Sequence, residues 1–60
     1  MQPMYTEREV LTKTIDDLVA TLDLLEIAKD TLIRKDKQEA SRLLRIAKSD
    51  LGIYERRLRS

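Results

Sequence analysis

The sequence contains no cysteine, histidine, tryptophan or phenylalanine, and it has only one glycine and one proline. Without cysteine there is no disulfide, and without cysteine and histidine there is no zinc site of the usual kind. The same absences remove the commonest general base and the thiol nucleophile. One glycine cannot build a glycine-rich nucleotide-binding loop. We therefore expect no enzymatic activity, no cofactor and no metal site.

The chain also lacks a long apolar run and an excess of charge of one sign. No stretch approaches the ~18 consecutive apolar residues of a membrane-spanning helix. Residues 1–5 lack the basic start and apolar run of a signal peptide. The 12 basic and 11 acidic side chains leave a net charge of +1, which requires neither nucleic acid nor an acidic partner. These features predict a cytoplasmic protein that has no membrane partner.

The small size of the chain leaves little margin of stability. A chain of 60 residues buries about 6,000 Å² on folding, and burial of its apolar part contributes on the order of 90 kcal/mol. Ordering the same residues costs about 90 kcal/mol. Because no disulfide or zinc ion can add to this balance, we expect either self-association or very regular helix packing.

Apolar residues in the first half of the chain recur at steps of four and three, which indicates an amphipathic helix. Thr6 and Glu9 have the spacing of a capping box, so the helix is predicted from about residue 6 to about residue 34. The spacing is that of a heptad seam, as in helices that pack side by side. Its positions are Lys29 and the aliphatic residues Leu11, Ile15, Leu18, Leu22, Leu25 and Leu32.

A second heptad seam occupies the rest of the chain. Asp36 and Glu39 again have a capping-box-like spacing, so we predict a turn over about 35–37 and a second helix over about 38–58. The seam positions are Ala40, Leu44, Ala47, Leu51, Tyr54 and Leu58.

The alternative to two helices is one continuous helix, because the connection contains neither glycine nor proline. The phase of the two seams favours a break. Continued by sevens, the first seam reaches Glu39 and Ile46 rather than Ala40 and Ala47. The predicted fold is therefore all-α, a single antiparallel two-helix hairpin with the two seams facing each other. In this hairpin, a residue of the first helix faces a residue of the second helix when their residue numbers add up to about 72 or 73, as for Leu22 and Leu51.

The two halves of the chain carry opposite charge. Residues 1–36 have five basic and eight acidic side chains, a net charge of −3, and residues 37–60 have seven and three, a net charge of +4. This difference favours the antiparallel pairing, more through register than through stability.

Branched aliphatic residues outside the seams would stay exposed in a single hairpin, and so would Val10 and Leu11, because the first helix is predicted to extend past the end of the second. Contiguous apolar surface of this kind is typical of an interface, and two hairpins can cover it by forming a four-helix bundle. We predict a homodimer, with an obligate complex with another protein and a monomer that keeps an irregular apolar face as the alternatives. The residues predicted for self-association are Val10, Leu11, Leu24, Ile27, Leu43, Ile46 and Ile53.

One outer face of the second helix is basic and contains small residues. Its positions are Arg42, Arg45, Ser49, Gly52, Arg56 and Arg59. Three interpretations are open: a solvated face with local ion pairs, such as Arg42 with Glu39 and Arg59 with Glu55, a protein-binding surface, or a nucleic-acid-binding surface. No aromatic residue lies on this face to stack on bases. The residues predicted to bind a partner are Arg42, Arg45, Arg56 and Arg59.

Two other patterns have structural explanations. Asp16, Asp23 and Asp30 recur every seven residues, about 10 Å apart along a helix, which is too far to share a metal ion. Lys29 is expected to extend from its seam to solvent or to specify the register.

These features predict a small non-enzymatic interaction protein, of the adaptor, inhibitor or regulator type. It would act by self-association and by binding a helix face to a larger protein. The alternative is a dimeric nucleic-acid-binding regulator that uses the arginines of the second helix.

Overall fold

The computed structural model of the chain describes residues 6–59, so residues 1–5, considered above for a signal peptide, lie outside it. Two helices, α1 (Glu7–Ile33) and α2 (Lys37–Arg59), are joined by a three-residue turn and pack against each other as an antiparallel hairpin. The predicted capping box is present at the start of α1. Glu9 N–H donates to Thr6 Oγ1 at 3.1 Å, and Thr6 N–H donates to Glu9 Oε1 at 2.8 Å.

The turn reverses the chain without glycine. Lys35 has a φ of 68°, in the left-handed region that glycine usually occupies at this point. Its N–H donates to the carbonyl of Leu32 at 2.9 Å, and Asp36 N–H donates to the carbonyl of Thr31 at 3.0 Å. This is the Schellman arrangement, which satisfies the last carbonyls of α1. Asp36 then caps α2 as predicted, because its Oδ1 accepts from Glu39 N–H at 3.2 Å.

Small and polar residues fill the contact between the helices, which we call the seam. Leu43 is the only large aliphatic side chain within residues 6–59 that is buried, and the other buried residues are alanines and threonines. The hydroxyls of Thr14, Thr21 and Thr31 donate to carbonyls four residues earlier in α1, so burial leaves none of them unpaired. The buried and half-buried seam positions are Thr14, Asp17, Thr21, Leu24, Ala28 and Thr31 on α1 and Ala40, Leu43, Ala47, Asp50, Tyr54 and Arg57 on α2.

The prediction that the leucine seam of the first helix faces the second helix is wrong. Five of its six aliphatic residues are exposed and only Leu25 is half-buried. For the second helix the prediction is half correct. Ala40, Ala47 and Tyr54 face α1, whereas the three leucines of the predicted pattern are exposed. The small side chains in the contact allow close approach of the two helices, and the leucines are left on the adjacent stripe.

The register of the hairpin agrees with the predicted one. Three hydrogen bonds cross from α1 to α2 within the described residues, and they join positions 14 and 57, 17 and 57, and 21 and 54. These pairs of numbers sum to 71, 74 and 75, around the predicted 72 or 73.

Candidate interaction surface

One side of the hairpin carries an apolar face. Each of its residues directly follows a buried or half-buried position, as Leu22 follows Thr21 and Leu51 follows Asp50. Because both helices are right-handed and run antiparallel, residues that follow a seam position lie on the same side of the hairpin in both helices. We define the apolar face by Leu11, Ile15, Leu18, Leu22, Leu25 and Leu32 of α1 and Leu44, Leu51 and Leu58 of α2.

The apolar face has the size of a protein–protein interface. α1 has 27 residues, so its length is about 40 Å, and two adjacent helices are about 20 Å wide. The product, about 800 Å², is the area of this whole side of the hairpin, polar residues included, and it equals the area that each partner contributes to a standard interface. A monomeric protein rarely exposes an apolar patch of more than a few hundred Å². Val19 and Ile33, both exposed, extend the apolar surface at the outer edge of α1.

Four polar residues also lie on this side, at the remaining positions that follow the seam. They are Lys29 on α1 and Ser41, Lys48 and Glu55 on α2. The ammonium group of Lys29 is bonded to Glu26 and lies 3.5 Å from Asp30 Oδ1. The hydrogen bond to Glu26 is the main reason that the pKa of Lys29 lies above its ordinary value. The lysine is thus exposed and charged, but it lies on the side of the apolar face and not in the contact between the helices, where the prediction placed it.

A cluster of polar side chains lies in the seam toward the open end of the hairpin, away from the turn. Arg57 Nη1 donates to Asp17 Oδ2 at 2.9 Å and to Thr14 Oγ1 at 3.2 Å. The Tyr54 hydroxyl lies 3.0 Å from Thr21 Oγ1, and the Arg57 guanidinium lies 5.4 Å from the centroid of the Tyr54 ring. The hydrogen bond from Arg57 is the largest cause that holds the pKa of Asp17 below its ordinary value. These bonds connect α1 to α2 and fix which sides of the helices meet.

The seven residues predicted for self-association lie in three different places. Leu43 is buried in the seam, and Val10 and Leu24 are half-buried between the helices, so these three contribute to the hairpin itself. Leu11 lies on the apolar face. The isoleucines lie on the opposite side, where each precedes a buried or half-buried seam position, and all of them are exposed: Ile27, Ile46 and Ile53.

Sequence reasoning missed most of the apolar face because it assigned those leucines to the hairpin core. A second pattern was available as a signal. Small residues recur at steps of seven, seven and three, each one residue before a position of the predicted leucine seam, at Thr14, Thr21, Ala28 and Thr31. Two such patterns on one helix predict two contacts, one narrow and one wide.

The arginines of α2 make local bonds. Arg42 Nε and Nη2 donate to Glu39 Oε1 and Oε2 at 3.0 and 2.7 Å, which lowers the pKa of Glu39 and raises that of Arg42. Arg59 Nε lies 2.9 Å from Glu55 Oε2, so both predicted ion pairs are present. Arg45 Nη2 donates to Ser41 Oγ at 3.4 Å. A Cβ at Gly52 would meet Arg56 Nη1 at 3.6 Å, an ordinary contact, so nothing in the described chain requires glycine there.

Residues 6–59 contain no group of side chains arranged to hold a metal ion, and neither of their helices is long and apolar enough to cross a membrane. Comparison with known proteins finds no match to the chain among family models, curated proteins or solved structures. The function proposed below therefore depends on the geometry of the hairpin.

Proposed function

We propose that this chain is a small non-enzymatic protein-interaction module. It associates with itself through the apolar face and presents its remaining helix surface to a larger protein, as an adaptor, inhibitor or regulator. One observation carries the proposal: nine aliphatic side chains, eight of them exposed, share one side of the hairpin, while the contact between the helices contains mostly small and polar residues.

The energy available on the apolar face supports this proposal. Full burial of a leucine or isoleucine side chain is worth about 1.5–3 kcal/mol. Eight side chains of the apolar face, all except Leu25, are about half exposed in a single hairpin. Burying the exposed half of each would contribute on the order of 8 kcal/mol per hairpin. The seam, with one buried leucine, three buried alanines and three buried threonines, stabilises a single hairpin much less. Covering the face therefore adds a stabilising contribution that a single hairpin lacks, part of which offsets the cost of association.

The proposal is tested by light scattering and circular dichroism across a hundredfold dilution of two matched variants. Leu22 is 62% exposed on the apolar face and Ile27 is 51% exposed on the opposite side of the same helix. We expect Leu22→Asp to weaken self-association at least about a hundredfold, because each complex would bury unpaired carboxylates. The matched variant Ile27→Asp should keep the molar mass of the parent protein.

Equal effects of the two variants would contradict the assignment of the apolar face. A parent chain that is monomeric and fully helical over the whole dilution range would contradict the proposal of self-association.

The alternative proposal is a dimeric regulator that binds nucleic acid through the arginines of α2. It is supported by the charge of that helix, which has seven basic and three acidic residues. The ion pairs of Arg42 and Arg59 weaken it, because phosphate contacts would have to replace them. A salt titration separates the two proposals, since nucleic-acid binding falls steeply with ionic strength and an apolar interface responds little.

A further inference from the structure

We propose that a second copy covers the apolar face through a two-fold axis perpendicular to the helices, at the level of Leu22 and Leu51. In this dimer α1 packs on α1 of the second copy, α2 packs on α2, and the two turns lie at opposite ends of a four-helix bundle. The inference rests on the proposed function, because it names the occupant of the apolar face and its orientation.

The hairpin register places the axis. Residues of α1 and α2 lie at the same level when their numbers sum to between 71 and 75, according to the three cross-helix hydrogen bonds. Leu22 and Leu51, whose numbers sum to 73, meet this condition. A single axis can therefore pass beside both residues, which is what a two-fold symmetric bundle requires.

The residues of α1 on the apolar face are nearly symmetric about Leu22. Reversing the helix about this residue places Leu22 on its own copy, Leu18 on Leu25, and Leu11 on Leu32. The remaining layer places Ile15 on Lys29. The head of Lys29 is already held by Glu26 and Asp30, so its aliphatic stem can cover Ile15 while the charge stays in solvent.

The same operation makes α2 complementary in shape and in charge. Leu51 meets its own copy, and Leu44 meets Leu58, seven residues away on either side of the axis. Lys48 then meets Glu55, and symmetry repeats this pair on the other half of the interface. Lys48 makes no ion pair within residues 6–59, whereas Glu55 is bonded only to the exposed Arg59 and keeps a second oxygen. Opposite charges at matching levels favour this register over others.

An axis parallel to the helices is the competing arrangement. It would place α1 on α2 of the second copy and both turns at one end. Because it repeats the hairpin register, it sets three charged residues against leucines: Leu18 against Glu55, Leu25 against Lys48, and Lys29 against Leu44.

The net charges of the helices favour the parallel axis, since α1 carries three basic and seven acidic residues and α2 the reverse. However, Asp16, Asp23 and Asp30 are exposed and lie away from the apolar face, where solvent and salt screen them. The parallel axis sets Lys29, Lys48 and Glu55 against leucines, whereas the perpendicular axis sets only Lys29 against an aliphatic residue and pairs the other two charges with each other. Charges set against leucine cost more than screened exposed pairs gain, so the perpendicular axis is preferred.

Spin labels on single cysteines measure the orientation, because the chain has no cysteine of its own. Gln38 and Ser49 are matched sites, since both are exposed, uncharged residues of α2. Gln38→Cys lies thirteen residues from Leu51, about 20 Å along the helix. With the perpendicular axis the two labels of a dimer lie on opposite sides of the axis, at least about 40 Å apart. With the parallel axis they lie at the same level, about 25 Å apart. Ser49→Cys lies near the level of the axis, and its labels should be about 25 Å apart in either arrangement.

Exchange of the proposed ion pair gives an independent measurement. Lys48→Glu and Glu55→Lys should each weaken the dimer about tenfold, and the double variant should recover most of this loss. With the parallel axis these residues do not meet, so the double variant would not recover.

The outcomes separate the two proposals. A dimeric mass with a long Gln38→Cys distance and recovery in the double variant is the expected result. A dimeric mass with a short distance overturns the orientation and leaves self-association intact. A monomeric mass overturns both.

Discussion

The seam and the apolar face are built on the same two helices, one residue apart, and differ in almost every property. Positions in the seam hold alanine, threonine and a polar cluster that includes Asp17 and Arg57, while the apolar face holds leucine and isoleucine. Seam residues are buried or half-buried within a single hairpin, whereas the apolar face is open.

This difference separates two tasks that one amphipathic stripe could not perform together. Small residues let the helices approach closely under a three-residue turn, and the polar cluster makes that contact specific. Large aliphatic residues remain free to provide the area of an interface. The fold of the hairpin and its association can therefore be disturbed separately.

Enlarging a seam residue should have the largest effect on the hairpin. Ala47 is 2% exposed against α1, so Ala47→Leu would overpack the contact and lower the free energy of unfolding by about 1–3 kcal/mol. Urea unfolding followed by circular dichroism at several protein concentrations measures this loss, which should persist at every concentration. The control Ser49→Leu adds a similar side chain at an exposed position. Equal unfolding midpoints for the two variants would show that the seam is not tightly packed at this level.

A smaller effect is expected from pH, through the polar cluster. The pKa of Asp17 lies below its ordinary 3.8, mainly because of the hydrogen bond from Arg57. A depressed pKa in the folded state means that the stabilisation is complete well above pH 3.8 and is lost as the pH falls through the folded-state value. Asp17→Asn should therefore lose stability at neutral pH and approach the parent protein in acid.

The control for this prediction is the variant Asp16→Asn, because the carboxylate of Asp16 makes no cross-helix bond in the described chain. Glu39, whose pKa Arg42 also lowers, is present in every variant and cancels in the comparison. If the free energies of unfolding of the parent protein and Asp17→Asn changed in parallel between pH 2 and pH 7, the stabilising role assigned to the ion pair of Asp17 with Arg57 would be contradicted.

The smallest effect on stability is expected from a change in the turn, which joins the two helices. Lys35 has a φ of 68°, so Lys35→Gly should relieve left-handed strain and raise the free energy of unfolding by about 0.5–1 kcal/mol. Arg34, with a φ of −78°, is the matched control, and Arg34→Gly should give no gain. Thermal unfolding compares the two, and a loss of stability in Lys35→Gly would contradict the interpretation of the turn.

Local features were the most predictable part of the fold. Thr6 with Glu9, and Asp36 with Glu39, were recognisable as helix starts because a capping side chain bonds a backbone N–H only three residues away. The turn itself carried no glycine or proline signal, and the Schellman bonds around Lys35 became evident only in the structure. The register also followed from the sequence, because a short turn and two heptad patterns leave few alternatives.

The candidate site was less predictable, since the leucines of the apolar face were assigned to the hairpin core and the isoleucines of the opposite side to association. By itself, the sequence determined that this protein forms two capped amphipathic helices, in each of which small residues and leucines recur every seven residues on neighbouring stripes. Only the tertiary structure decided which pattern lies between them. Periodicity places residues on a stripe, but only the packing of the two helices shows which stripe lies in their contact, and here it is the stripe of smaller side chains, which allow close approach.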